Sequence, residues 1–134
     1  MSEDAKEHLL LVVDDDSGMR DTLLDILEAR GYRVGVAADG FEALEAIKTE
    51  RCDLMLMDIV MPRMNGVEAL KQLKEIDGSV IVIMMTAYAM PDLVEGALRE
   101  GVYKVLFKPL DMEEVLSLID EALSSGNGGD PSLN

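Results

Sequence analysis

Apolar runs and amphipathic segments alternate along the chain. The runs are HLLLVVD (8–14), YRVGVAA (32–38), DLMLMD (53–58), VIVIMM (80–85) and YKVLF (103–107). Three of them are almost continuously apolar, the pattern of parallel strands covered on both faces. Between the runs, apolar residues recur at helical spacing. Met19, Leu23, Ile26 and Leu27 share one face, as do Phe41, Leu44 and Ile47, and again Val67, Leu70 and Leu73. Met112, Val115, Leu116, Ile119 and Leu123 repeat the pattern near the end. The window PDLVEGALRE (91–100) is a weaker helix: proline suits its first turn, but Gly96 costs about 1 kcal/mol relative to alanine. Strand and helix alternating five times predict a three-layer α/β sandwich built on a five-stranded parallel sheet with five helices.

Local signals agree with these elements. Asn65 precedes Glu68 by three residues and Asp111 precedes Glu114 likewise, both capping-box spacings. Leu110 and Val115 stand where a hydrophobic staple would sit around the second of them. Gly31 suits the C-terminal cap of the first helix, and Asp16 or Ser17 its N-cap. The expected division is an N-terminal extension over residues 1–7, a domain over 8–123, and a mobile tail of linker composition over 124–134.

Composition narrows the function. At 134 residues the chain makes one domain with enough length to bury a core. A formal net charge of -15 argues against direct nucleic-acid binding, since no basic cluster is available to displace counterions. The longest apolar run, residues 80–90, falls short of the ~20 residues of a membrane span, and the acidic start carries no secretory signal. The single cysteine, Cys52, fits a reducing compartment and reads as a small buried hydrophobe. A cytoplasmic location follows as the expectation. The methionines at 55, 57, 61, 64, 84, 85 and 90 read as core and rim filler, and His8 has no metal-ligand companions. No Gly-rich phosphate loop is present.

In an open parallel α/β sheet, ligands bind beyond the carboxyl ends of the strands. Here the first strand ends in Asp14, Asp15 and Asp16, the third in Asp58, the fourth in Thr86, and the fifth in Lys108 followed by Pro109. Each has an ordinary explanation taken alone: a cap, a strand-end hydroxyl, a lysine reaching solvent. Together they place several acids, a hydroxyl and an ammonium on one rim. Two carboxylates about 4 Å apart repel by roughly 4 kcal/mol at an effective dielectric of 20. Such a group needs a raised pKa, a lysine or a divalent cation, and hard oxygen donors with room for water suit Mg²⁺.

On LLVVDDD, DLMLMDIVMPRMNG, MMTAY and KP, in this order, residues 8–123 resemble the receiver domain of two-component response regulators. The resemblance implies a flavodoxin-like doubly wound sheet of order 2-1-3-4-5. It implies that Asp58 accepts a phosphoryl group from a histidine kinase or histidine phosphotransfer protein. Mg²⁺ would be held by Asp14, Asp15, Asp58 and the backbone carbonyl of Val60. Thr86 would bond a phosphoryl oxygen, Lys108 would pair with it, and the Lys108–Pro109 bond would be cis. Ala87, Tyr88 and Pro109 flank these residues as modulators, Tyr88 as a shield for the phosphoryl group. The chain departs from the family pattern at Val105, where an aromatic residue usually moves with the threonine. Coupling would run to the face formed by the fourth helix, fifth strand and fifth helix. An output domain or effector could follow, and monomer and homodimer both remain open.

A second reading is a phosphohydrolase resembling the haloacid dehalogenases, with Asp14 as nucleophile and Asp16 completing a D-x-D pair. There the expected threonine or valine is Gly18. A flavin-binding or contact-only protein is a third reading, and neither needs the full set of acid, hydroxyl and lysine.

Overall fold

The computed structural model describes residues 8–88 and 90–124. Five strands, β1 (Leu9–Val13), β2 (Arg33–Ala37), β3 (Leu54–Asp58), β4 (Ile81–Thr86) and β5 (Lys104–Phe107), alternate with five helices. The helices are α1 (Ser17–Ala29), α2 (Gly40–Thr49), α3 (Gly66–Ile76), α4 (Pro91–Arg99) and α5 (Met112–Ser124). The strands form one parallel sheet of order β2-β1-β3-β4-β5. The expected extension (1–7) and all but the first residue of the expected tail lie outside the described residues, and Ser124 ends α5.

The continuously apolar runs become the strands covered on both sides. Alternate residues of β1 and β3 feed two cores. Leu10, Val12, Leu54 and Leu56 pack with Leu23 and Leu27 of α1 and Val115 and Ile119 of α5. Leu11, Val13, Met55 and Met57 pack with Leu44 and Ile47 of α2 and Leu70 and Leu73 of α3. Each such side chain contributes roughly 1.5–3 kcal/mol by leaving water, so the central strands are rigid. Cys52 lies in the second core, where burial pushes its thiol up to about 12 and keeps it protonated.

The caps follow the sequence signals. The Asp16 carboxylate accepts the Gly18 and Met19 N–H groups at the start of α1, and Gly31, at φ 99°, follows its end. The Asn65–Glu68 capping box closes in both directions, and Asp111 accepts from the Glu113 and Glu114 N–H groups. One expectation needs correction. Phe41 is 49% exposed, because Ala43 takes the inward place on α2 beside Leu44 and Ile47. The methionines divide between core and rim as expected: six are buried, and Met90 is exposed at the N-cap of α4. Gly96 is buried against the Val67 side chain, which a Cβ there would meet at 3.4 Å, an ordinary contact.

Candidate functional site

Because the strands are parallel, their carboxyl ends meet at one edge, and register sets the heights. Val13 pairs with Met57, so Asp14 and Asp58 leave adjacent strands at the same level. Period-two alternation gives Asp14, Asp58 and Lys108 the parity of Val12, Leu56 and Leu106, all three in the core under α1 and α5. The three polar groups are thereby aimed at one another.

Lys108 joins them. Its ammonium lies 2.9 Å from Oδ2 of Asp14 and 2.9 Å from Oδ2 of Asp58. Asp14 is fully buried: its other oxygen accepts the Asp16 N–H at 2.9 Å, and its carbonyl accepts from the Arg20 guanidinium at 2.7 Å. Asp58 is 7% exposed, with Oδ1 accepting the Val60 N–H at 3.1 Å. Asp15 is exposed at the mouth. One oxygen from each of Asp14, Asp15 and Asp58 can be chosen so that all three lie within 4.8 Å of one another, an arrangement that can hold a metal ion.

Burial pushes the Asp58 carboxyl above its ordinary value; the Lys108 hydrogen bond and charge and the Val60 N–H offset part of this, while the Asp14 charge adds to it. At Lys108 burial alone would weaken the ammonium, but hydrogen bonds and charges from Asp14 and Asp58 outweigh it and raise the pKa. Three carboxylates outnumber the ammonium paired with two of them. At the separation given above, each pair repels by roughly 3–4 kcal/mol at an effective dielectric of 20. The residues present fit a hard divalent cation.

Thr86 is fully buried but engaged elsewhere. Its hydroxyl donates to the Tyr88 carbonyl at 2.9 Å and accepts the Tyr88 N–H at 3.0 Å. It has the parity of Met84, in the core under α2 and α3, so it flanks the acids without touching them. Tyr88 is 62% exposed and Ala87 is exposed beside it. The Lys108–Pro109 bond is cis. Tyr103 bonds Glu121 of α5 through its hydroxyl at 2.7 Å, and Val105 packs partly against the α3 side of the core.

Three polar residues around the strand ends were not singled out from the sequence. Arg20 reaches Asp14 from one turn into α1. Asp39 caps α2 and is ion-paired with Arg63, which lies in the loop between β3 and α3. The spacing of Asp39 to Glu42, another acid three residues on, was a readable cap signal. Nothing in residue type announces the other two.

The chain belongs to the response regulator receiver domain family, which it matches over residues 10–120. It is similar to Sporulation initiation phosphotransferase F of Bacillus subtilis (strain 168), 37% identical over 114 residues, 85% of this chain and 92% of that protein. It is also similar to Transcriptional regulatory protein ZraR of Klebsiella oxytoca, 41% identical over 115 residues and 86% of this chain. There the chain spans about a quarter of the relative's length, 26%. Among solved structures it resembles the CheX-CheY-BeF3-Mg+2 complex from Borrelia burgdorferi, with TM-score 0.80 and 32% identity over 87% of this chain and 89% of that one. The phosphohydrolase alternative finds no support among these relatives. Among the described residues, no helix is long and apolar enough to cross a membrane.

Proposed function

We propose that this receiver domain is a cytoplasmic phosphoacceptor switch in which Asp58 takes a phosphoryl group from the histidine of a kinase or phosphotransfer protein. The observation that carries the reading is the single ammonium of Lys108 bonded to both Asp14 and Asp58, with Asp15 close by. Asp14, Asp15, Asp58 and the Val60 carbonyl would hold Mg²⁺, and the similar Borrelia burgdorferi chain was solved with Mg+2 and BeF3. Bound there, Mg²⁺ supplies charge neutralisation for the transferring phosphoryl oxygens.

Phosphoryl transfer runs through a loose, in-line transition state, so the protein's work is positioning and electrostatics. A carboxylate oxygen of Asp58 forms the new bond to phosphorus as the donor's N–P bond breaks and its electron pair returns to the imidazole. β3 is buried throughout, so the nucleophile is held by a rigid strand. Lys108 then pairs with a phosphoryl oxygen instead of the bare carboxylate. The Thr86 hydroxyl leaves the Tyr88 carbonyl and donates to another oxygen, drawing the residues after β4 with it. The exposed Tyr88 covers the acyl phosphate from water and lengthens its life. The domain promotes only its own phosphorylation and dephosphorylation, and passes the change through α4, β5 and α5 to an effector or further domain.

The test locates the adduct. After exposure to acetyl phosphate and Mg²⁺, borohydride reduction of the acyl phosphate followed by peptide mapping should mark Asp58. A mark at Asp14, or catalytic turnover of a small phosphate ester that survives Asp58→Asn, would overturn the reading.

A further inference from the structure

Arg63 is the non-glycine residue with a positive φ, 69°, among the described residues. For a bulky side chain that conformation is unfavourable and persists only where the surroundings enforce it. The surroundings are specific. The guanidinium is ion-paired with Asp39, whose side chain is 11% exposed, and lies 5.7 Å from the centre of the Phe41 ring. Asp39 is itself fixed, because its other oxygen accepts the Glu42 N–H at 2.9 Å at the head of α2. The next residue, Met64, is buried and packs closely on the start of α2, where a Cβ on Gly40 would come within 2.9 Å of its sulfur. The loop after Asp58 is therefore clipped to the start of α2 at two consecutive residues.

Sheet order gives this clip its meaning. β2 and β3 lie on either side of β1, so a bond from Arg63 to Asp39 spans the end of β1, where Asp14 and Asp15 leave the sheet. The β2 side is tied to Asp14 through its N–H to the Ala37 carbonyl at 3.1 Å. The β3 side is tied to Asp58 through the Val60 N–H.

We propose that Arg63 is a positioning residue for the cation site: its ion pair with Asp39, backed by Phe41, fixes the 59–65 segment and with it the Val60 carbonyl. This rests on the reading of the site given above. The ordinary alternative is an ion pair with one exposed partner, worth little and without effect on the site. The two have different signatures. Removing a positive charge near an acidic site strengthens cation binding by electrostatics, whereas loosening a ligand-bearing loop weakens it.

Arg63→Asn removes the charge while keeping a residue that tolerates positive φ. Arg63→Lys keeps the charge but loses the planar fork and its stacking face. The readouts are Mg²⁺ affinity by calorimetric titration, amide hydrogen exchange over 59–65, and the thermal midpoint. The expected result is Mg²⁺ binding weakened about tenfold in Arg63→Asn, the low end of what supporting groups around metal ligands are worth. Exchange at Val60 should quicken, the thermal midpoint should stay close to that of the unaltered chain, and Arg63→Lys should recover part of the affinity. Should Arg63→Asn not fold, Phe41→Leu reads the same loop with the ion pair intact and should weaken Mg²⁺ binding by a smaller factor. Mg²⁺ binding by Arg63→Asn as tight as that of the unaltered chain, or tighter, overturns the proposal alone. An unaltered chain that does not bind Mg²⁺ removes the site reading and this inference with it.

Discussion

At Asp58 burial and charge pull in opposite directions, and the balance has a measurable sign. Its pKa is raised in the folded protein, so the folded state holds that proton more tightly than the unfolded chain does. Above the ordinary carboxylate value the unfolded chain gives that proton up more readily, so ionisation of this group opposes folding. Asp58→Asn should therefore raise the thermal midpoint in chelator-treated buffer at neutral pH. The gain should shrink as pH falls toward the ordinary carboxylate value of 3.8, where the unfolded chain takes up the proton as well. A midpoint lowered by the substitution at neutral pH would show that Lys108 contributes more through Asp58 than burial costs. Asp14, Asp58, Thr86 and Lys108 were legible in the sequence because a strand end has a fixed place in a parallel sheet, so residue type alone announces the chemistry. The pairing of Arg63 with Asp39 was not, since it depends on a backbone conformation that arginine rarely adopts. The resting bond of Thr86 to Tyr88 was foreseen only as an ordinary alternative.

Among the elements, the connection from β3 to α3 shows how closely the chain is fitted beneath the site. Asn65 and Glu68 close their capping box as the spacing indicated. Gly66 then passes so near the strand that an added Cβ would lie 2.8 Å from the Asp58 carbonyl oxygen and 2.9 Å from the Ile59 Cα. Both neighbours are backbone, so the strand end would have to shift. Gly66→Ala should destabilise the fold by roughly 1–3 kcal/mol, as overpacking does, and slow phosphorylation of Asp58. Urea unfolding checks the first effect, and an unchanged midpoint would mean the loop has slack to absorb the methyl group. The sequence marked this glycine only as part of a familiar motif, because close backbone approach leaves no periodic trace. Phe41 was misplaced for a related reason. Three apolar residues at helical spacing define a face, but Ala43 competes for it, and the cation of Arg63 gives the exposed ring a partner.

For the whole molecule, alternation of strand and helix was enough to predict the layers, and near-continuous apolar runs marked the covered strands. The strand order was not contained in that pattern. Periodicity says that a strand is buried on both faces and not which strands flank it, so the order β2-β1-β3-β4-β5 came through family resemblance. That order brings the ends of β1 and β3 together and makes one site from residues 44 positions apart, Asp14 and Asp58. The formal net charge of -15 adds a general attraction for cations, screened by salt, to the local one. The central claim is that these carboxylates tolerate one another through a bound cation and that Asp58 among them carries the phosphoryl group. Intact mass after exposure to acetyl phosphate tests it most directly. The unaltered chain should gain a single phosphoryl group when Mg²⁺ is present, lose that gain when the metal is chelated, and show none in Asp58→Asn. An equal gain in Asp58→Asn, or none in the unaltered chain with Mg²⁺, would contradict the account.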